Sequence, residues 1–200
     1  MKELALHLLD IAENSVSARA KNILIAIDED LAADRLTLRV QDDGKGMSED
    51  TLRQVTDPFV TSRTTRKVGL GLPLLKAAAE MCKGGMAIQS RLGKGTTVTV
   101  DFQHTHLDRM PLGDVAGLML TLVVGHPEIH WRLEYTAVSS SGTRLEPFIF
   151  DDAEIKEALG DPDLLTNPDV LAFLRTSLED GVNTIRKTLI PSLNSGIRLG

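Results

Sequence analysis

The segment "RLTLRVQDDGKGM", residues 35–47, limits the possible folds more than any other part of the chain. Its first eight residues alternate as a half-buried strand should. The strand runs straight into Asp42 and Asp43, then Gly44 and Gly46. Glycines at alternate positions allow unusual backbone angles and let a ligand approach the main chain closely. A carboxylate at a strand end can accept a hydrogen bond from an amino group such as that of adenine. Taken alone, these residues also describe an ordinary Asp-Gly turn.

Two other segments have the same double character. "LHLLDIAENSVSARA", residues 6–20, predicts an amphipathic helix, with Leu4, Leu8, Ile11 and Ser15 at helical spacing and Leu9, Ala12 and Val16 widening the stripe. Asp10 and Asn14 lie four apart and share a face. A carboxamide oxygen is a good ligand for a hard cation such as Mg²⁺, and a nearby carboxylate can hold or activate water. Such pairs are also common on solvated helix edges. "VGLGLPLLK", residues 68–76, sets Gly69 and Gly71 before a helix whose N-terminus offers unpaired N–H groups and a positive dipole end. It lacks the Lys-Ser/Thr ending of a P-loop and the three-glycine spacing of a dinucleotide fold. By itself it would be a flexible turn before a core helix.

Between these landmarks, "NILIAI" and "RLTLRVQD" predict a hairpin joined by the acidic "DEDLAAD", and Ser48 is a candidate N-cap for a short helix. "LPLLKAAAEMCK" predicts a helix with Pro73 in its first turn and Gly84 and Gly85 at its end. "MAIQSRL" and "TTVTVDFQ", separated by "GKG", predict a second hairpin. Helices over one face of a mixed or antiparallel sheet give an α+β two-layer sandwich. After residue 103 the character changes. "LGDVAGLMLTLVVGH" reads as a helix, "IHWRLEYTAV" and "TRLEPFIF" as a hairpin joined by "SSSG", and the remainder as mostly helical. Two units are expected, 1–103 and a smaller α+β unit over 104–200.

Charge follows the same division. Residues 1–103 hold 14 Lys+Arg and 14 Asp+Glu, whereas 104–200 hold 8 and 14, the source of the whole net charge of −6. No basic stripe is available for a phosphate backbone, so nucleic acid is not expected as a partner. "VAGLMLTLVV" is too short to span a bilayer, no signal peptide is expected, and membrane attachment is not predicted. Cys82 is the only cysteine, which excludes an intramolecular disulfide and fits a reduced, cytoplasmic setting. His104, His106, His126 and His130 lack a metal-ligand pattern, and no zinc or iron site is expected. His7, one turn before Asp10, reads as a packed or solvated side chain rather than a phosphoacceptor.

Taken together and in order, the segments resemble the ATPase superfamily of DNA gyrase B, the heat-shock chaperone of ninety kilodaltons, histidine kinases and mismatch-repair proteins (GHKL). "DIAENSVSARA" resembles its N box, especially the mismatch-repair form, and "DDGKGM" its Asp-x-Gly-x-Gly box. "DPFVTSRTTRKVGLGLPLLK" resembles the kinase-type passage into the second glycine box, and "SRLGKGTTVTV" the closing strand. The resemblance covers residues 4–103 and implies the Bergerat ATP-binding fold with ATP and Mg²⁺ as cofactors. It makes Asn14 the Mg²⁺ ligand and Asp42 the acceptor for the adenine amino group. Gly44, Gly46 and Met47 would lie beside the base, and Thr96 would reach the adenine site. Gly69, Leu70, Gly71 and Leu72 would bring main chain to the phosphates. Residues 57–70 would form a lid, with Thr61, Ser62 and Arg63 near the triphosphate.

One departure matters. Gyrase-like and mismatch-repair members carry a water-activating Glu where this chain has Asp10, one methylene shorter. Either Asp10 is the catalytic base with altered reach, or hydrolysis is slow and phosphoryl transfer is the real task. The helical hairpin that carries the acceptor His in histidine kinases is not expected within these residues. The first functional expectation is therefore an ATP-dependent protein kinase acting on a separate partner. The second is an ATP-operated binding module with slow or incidental hydrolysis, and a gyrase-type ATPase transducer comes third. Residues 104–200 are expected to select the protein partner or to form a homodimer.

Overall fold

The computed structural model describes residues 3–56 and 71–189, apart from the side chains of Gln54, Thr56, Pro162 and Asp163. The opening helix α1 (Leu4–Ser17) leads into β1 (Asn22–Asp30), β2 (Arg35–Asp42) and α2 (Glu49–Thr56). Helix α3 (Gly71–Met81), β3 (Gly85–Ser90) and β4 (Thr96–Gln103) follow. Then come α4 (Val115–Gly125), β5 (His130–Val138), β6 (Phe148–Asp151), α5 (Asp152–Leu159), a 3-10 turn over 162–166, and α6 (Pro168–Leu189).

All six strands form one sheet in the order β3-β4-β2-β1-β5-β6. Neighbours are antiparallel except β1 and β5, which run parallel. The register explains why one face is dry. Ile25 lies opposite Val40 on one side and Leu133 on the other, and Leu38 lies opposite Val100. Alternation therefore places every apolar row on the same face. Helices α1, α3, α4 and α6 cover that face in a shared core. On α1 the predicted stripe is the buried one: Leu4, Leu8, Ile11, Ala12 and Ser15 all point inward. Each large side chain buried there contributes about 1.5–3 kcal/mol.

The two-layer α+β architecture is thus present. Residues after 103 add their strands to the same sheet, so the described residues form one sheet. Both predicted hairpins of the first half form, and "GKG" supplies its turn with Gly93 and Gly95 at φ +73° and +86°. The end of α3 differs in detail from the sequence expectation. Lys83, not a glycine, takes the left-handed conformation (φ +55°). Gly84 is required for another reason, because a Cβ there would lie 1.7 Å from the Asp101 carbonyl oxygen.

Candidate functional site

The buried row of β2 runs Leu36, Leu38, Val40 and then Asp42. Two-residue periodicity turns the Asp42 carboxylate toward the helices and Asp43 away from them. Asp42 is only 9% exposed, and its surroundings hold it in one orientation. Oδ1 accepts hydrogen bonds from the backbone N–H of Gly44 (2.9 Å) and Thr96 (3.2 Å), while Oδ2 accepts from the Ser15 hydroxyl at 2.8 Å. A carboxylate offers about four acceptor positions, so one remains for a ligand N–H.

Asp43 has a different task. Its carboxylate accepts from the backbone N–H groups of Lys21 and Asn22 and from the Asn22 carboxamide, fixing the start of β1. Burial opposes its charge, but these hydrogen bonds outweigh that and hold its carboxyl below the usual range.

Beside Asp42 lies a cavity of about 320 Å³, walled by α1, the Asp-Gly loop, α2, α3 and β4. Asn14, Asp42, Gly46, Met47, Leu72 and Thr96 line it, as do Ile11, Ser15, Ser17, Ala18, Lys45, Val55 and Val98. Lys45 is the lining cation among the described residues. The exposed Asn14 carboxamide has no hydrogen-bond partner among them. Ser90 braces the rim: its hydroxyl accepts from Met47 N–H at 2.8 Å and lies 2.9 Å from the Thr96 hydroxyl.

The glycines are constrained by the protein's own backbone. A Cβ on Gly46, which sits at φ +62°, would lie 2.1 Å from the Arg91 carbonyl oxygen. Gly44 packs against Ala18, whose carbonyl also accepts from Lys45 N–H at 2.9 Å. Asp10 is half-buried and is not part of the cavity lining. Its Oδ2 would be 1.8 Å from a Cβ on Gly71, so this carboxylate rests directly on the first residue of α3. Thr61, Ser62, Arg63, Gly69 and Leu70 lie outside the described residues.

Four cavity residues were hidden in patterns that have another reading. Ile11 and Ser15 belong to the apolar stripe of α1, Ala18 is the residue that caps its C-terminus, and Val98 belongs to the buried row of β4. The signal for Ser15 and Ala18 is helical spacing from Ile11, and for Val98 the two-residue step from Thr96. Ser90 leaves no such trace.

The histidines are placed away from this cavity. His7 is 4% exposed, its Nδ1 has no hydrogen-bond partner, and burial lowers its pKa from 6.5. His104 bonds Glu29 (2.7 Å), and His126 lies 3.2 Å from Glu13. His130, Asp151 and Asp152 form the one described group with metal-ligand spacing. Its carboxylates are already engaged by Arg132 and Lys156 at 3.2 and 2.6 Å.

Residues 2–106 match the family described as histidine kinase-, DNA gyrase B- and HSP90-like ATPase. A "Putative sensor protein" of Shewanella frigidimarina is 35% identical over 97 residues, covering 48% of this chain and 15% of that protein. An "Uncharacterized sensor-like histidine kinase" of Rhizobium meliloti is 33% identical over 98 residues, 46% and 19% of the two chains. "Sporulation kinase C" of Bacillus subtilis is 29% identical over 92 residues, 46% and 21%. The chain therefore spans between 15% and 21% of the length of these curated relatives. Among solved structures, the N-terminal domain of a DNA repair protein superposes with a TM-score of 0.50 at 14% identity, over 72% of this chain and 51% of that one, and so shares its fold.

Proposed function

The chain belongs to the histidine kinase-, DNA gyrase B- and HSP90-like ATPase family, and from that premise we propose that it binds Mg-ATP and transfers a phosphoryl group to a separate protein partner. The observation that carries this is Asp42: a buried carboxylate, held by Ser15, Gly44 and Thr96, with one acceptor position left beside the cavity. Such a group selects the exocyclic amino group of adenine over the carbonyl of guanine, which would leave it unpaired. Kinases among the relatives support the phosphoryl-transfer reading.

In this reading Gly44, Gly46 and Met47 flank the base and Thr96 completes the polar edge. Asn14 suits Mg²⁺ because a carboxamide oxygen is a hard donor and its side chain is exposed at the cavity. The metal would neutralise phosphate charge. Leu72 and Gly71, with Gly69 and Leu70, bring main chain toward the phosphates, and Thr61, Ser62 and Arg63 close over them. Asp10 orients the acceptor. None of the five histidines in residues 1–200 lines the cavity, which supports an acceptor lying outside them. Residues 104–200 select that partner.

A second reading is an ATP-operated binding module, favoured by the contact of Asp10 with Gly71 in place of the cavity. Calorimetry with Mg-ATP and radiolabel transfer to a co-purified partner separate the two. Binding with transfer that disappears in Asn14→Ala is expected. Binding without transfer favours the module, and no binding at millimolar ATP sinks both.

A further inference from the structure

At the far end of the sheet from the cavity, α5 and the first turns of α6 enclose a shallow groove of about 460 Å³. Ile155, Leu159, Val170 and Phe173 form its apolar lining, and Glu154 and Asp169 stand at its edge. Phe173 is 61% exposed. The core does not use it: α6 is anchored by Leu174, Leu178, Val182, Ile185 and Leu189. Ile155 and Leu159 are one turn apart on α5, as are Asp169 and Phe173 on α6. Two helical ridges with an apolar slot between them fit a third helix.

Charge narrows the occupant. Lys156 is drawn inward to Asp152 and the Ile129 carbonyl, and Arg175 faces Glu179 at 4.0 Å. The exposed Glu154 and Asp169 therefore leave the groove with a negative rim. We propose that this groove docks a basic amphipathic helix of a separate protein, with apolar residues against Phe173 and Val170 and lysine or arginine over Glu154 and Asp169. A second copy fits less well, because it would set one acidic rim against another in a chain of net charge −6. The inference rests on the reading that the client is a separate protein, and on none of the nucleotide roles.

The test uses the full chain and a fluorescent synthetic helix of leucine and lysine at i, i+3, i+4, i+7 spacing. A counterpart with glutamate for lysine serves as control, and anisotropy is the readout. The lysine peptide binds and the glutamate peptide does not. Phe173→Glu weakens binding by at least about tenfold, as expected for a central apolar anchor. That variant adds a negative charge, so non-specific attraction alone would tighten binding instead. An unchanged melting temperature and Mg-ATP affinity show that it folds. Unaltered peptide affinity in Phe173→Glu overturns the proposal. So does sedimentation showing a wild-type dimer that this variant turns into a monomer, because the groove would then belong to a second copy. Peptide binding as expected without phosphoryl transfer would count against the kinase reading while supporting the groove.

Discussion

Two buried aspartates lie two strands apart, Asp42 on β2 opposite Ile23 of β1 and Asp152 on the Trp131 N–H of β5, and the molecule treats them differently. Asp42 ends β2, is held by neutral donors alone, and faces a cavity. Asp152 opens α5, is 0% exposed, accepts from Trp131 N–H at 2.9 Å, and is met by the Lys156 ammonium at 2.6 Å. Burial pushes the Asp152 carboxyl up, against the pull of Lys156. The lysine closes one site. The other keeps an acceptor position open beside the cavity, as the proposed role of Asp42 requires.

The comparison can be broken most forcefully at Asp152. Asp152→Ala strands a largely buried lysine and is expected to cost about 3 kcal/mol in urea unfolding. Mg-ATP affinity of the folded protein should hold; a matching loss of affinity would mean that the two aspartates are not distinct in role. Asp42→Asn should do the reverse. It replaces an acceptor by a group that is also a donor, and nucleotide affinity is expected to fall about thirtyfold, roughly 2 kcal/mol. Calorimetry reads that loss, while the unfolding midpoint moves little.

Gly71→Ala comes next. Its Cβ would collide with Asp10 Oδ2 at 1.8 Å, so the carboxylate must move. About a tenfold fall in phosphoryl transfer is expected, as for a displaced positioning group, with nucleotide affinity much less affected. Equal transfer would remove Asp10 from the chemistry.

The smallest effect concerns pH. His7 has a lowered pKa because it is buried, so the unfolded chain binds its proton more readily. Its contribution to stability is full above the unfolded value near 6.5 and is lost as the pH falls from there toward the lowered folded value. His7→Leu should flatten that part of a stability–pH profile, and an unchanged slope would assign it to other groups.

Much of this was legible in the sequence because alternation and helical spacing are local. The buried stripe of α1, the rows of β2 and β4 and both early hairpins follow from residue order alone. That Asp42 ends a strand was also legible, from the alternation before it and the glycines after it. Its difference from Asp43 was not drawn from the motif, although the alternation that buries Leu36, Leu38 and Val40 already carries it. Ser15 was concealed because a small side chain on an apolar stripe looks like packing, and its meaning depends on a partner 27 positions away. The joining of β5 to β1 was hidden for the same reason: parallel pairing leaves no turn signal between the two strands.

That pairing has a consequence for how the chain is made. Asn22 pairs with His130, so β1 lacks one neighbour until everything between them has been synthesised. At about 5–20 residues per second, this is a wait of roughly 5–20 seconds. Throughout it, a strand carrying Ile23, Ile25 and Ile27 offers unpaired N–H and C=O groups, the template on which strands add from other molecules. A fragment stopped at residue 103 would keep that edge open permanently, and it is expected to self-associate through β1 where the full chain does not.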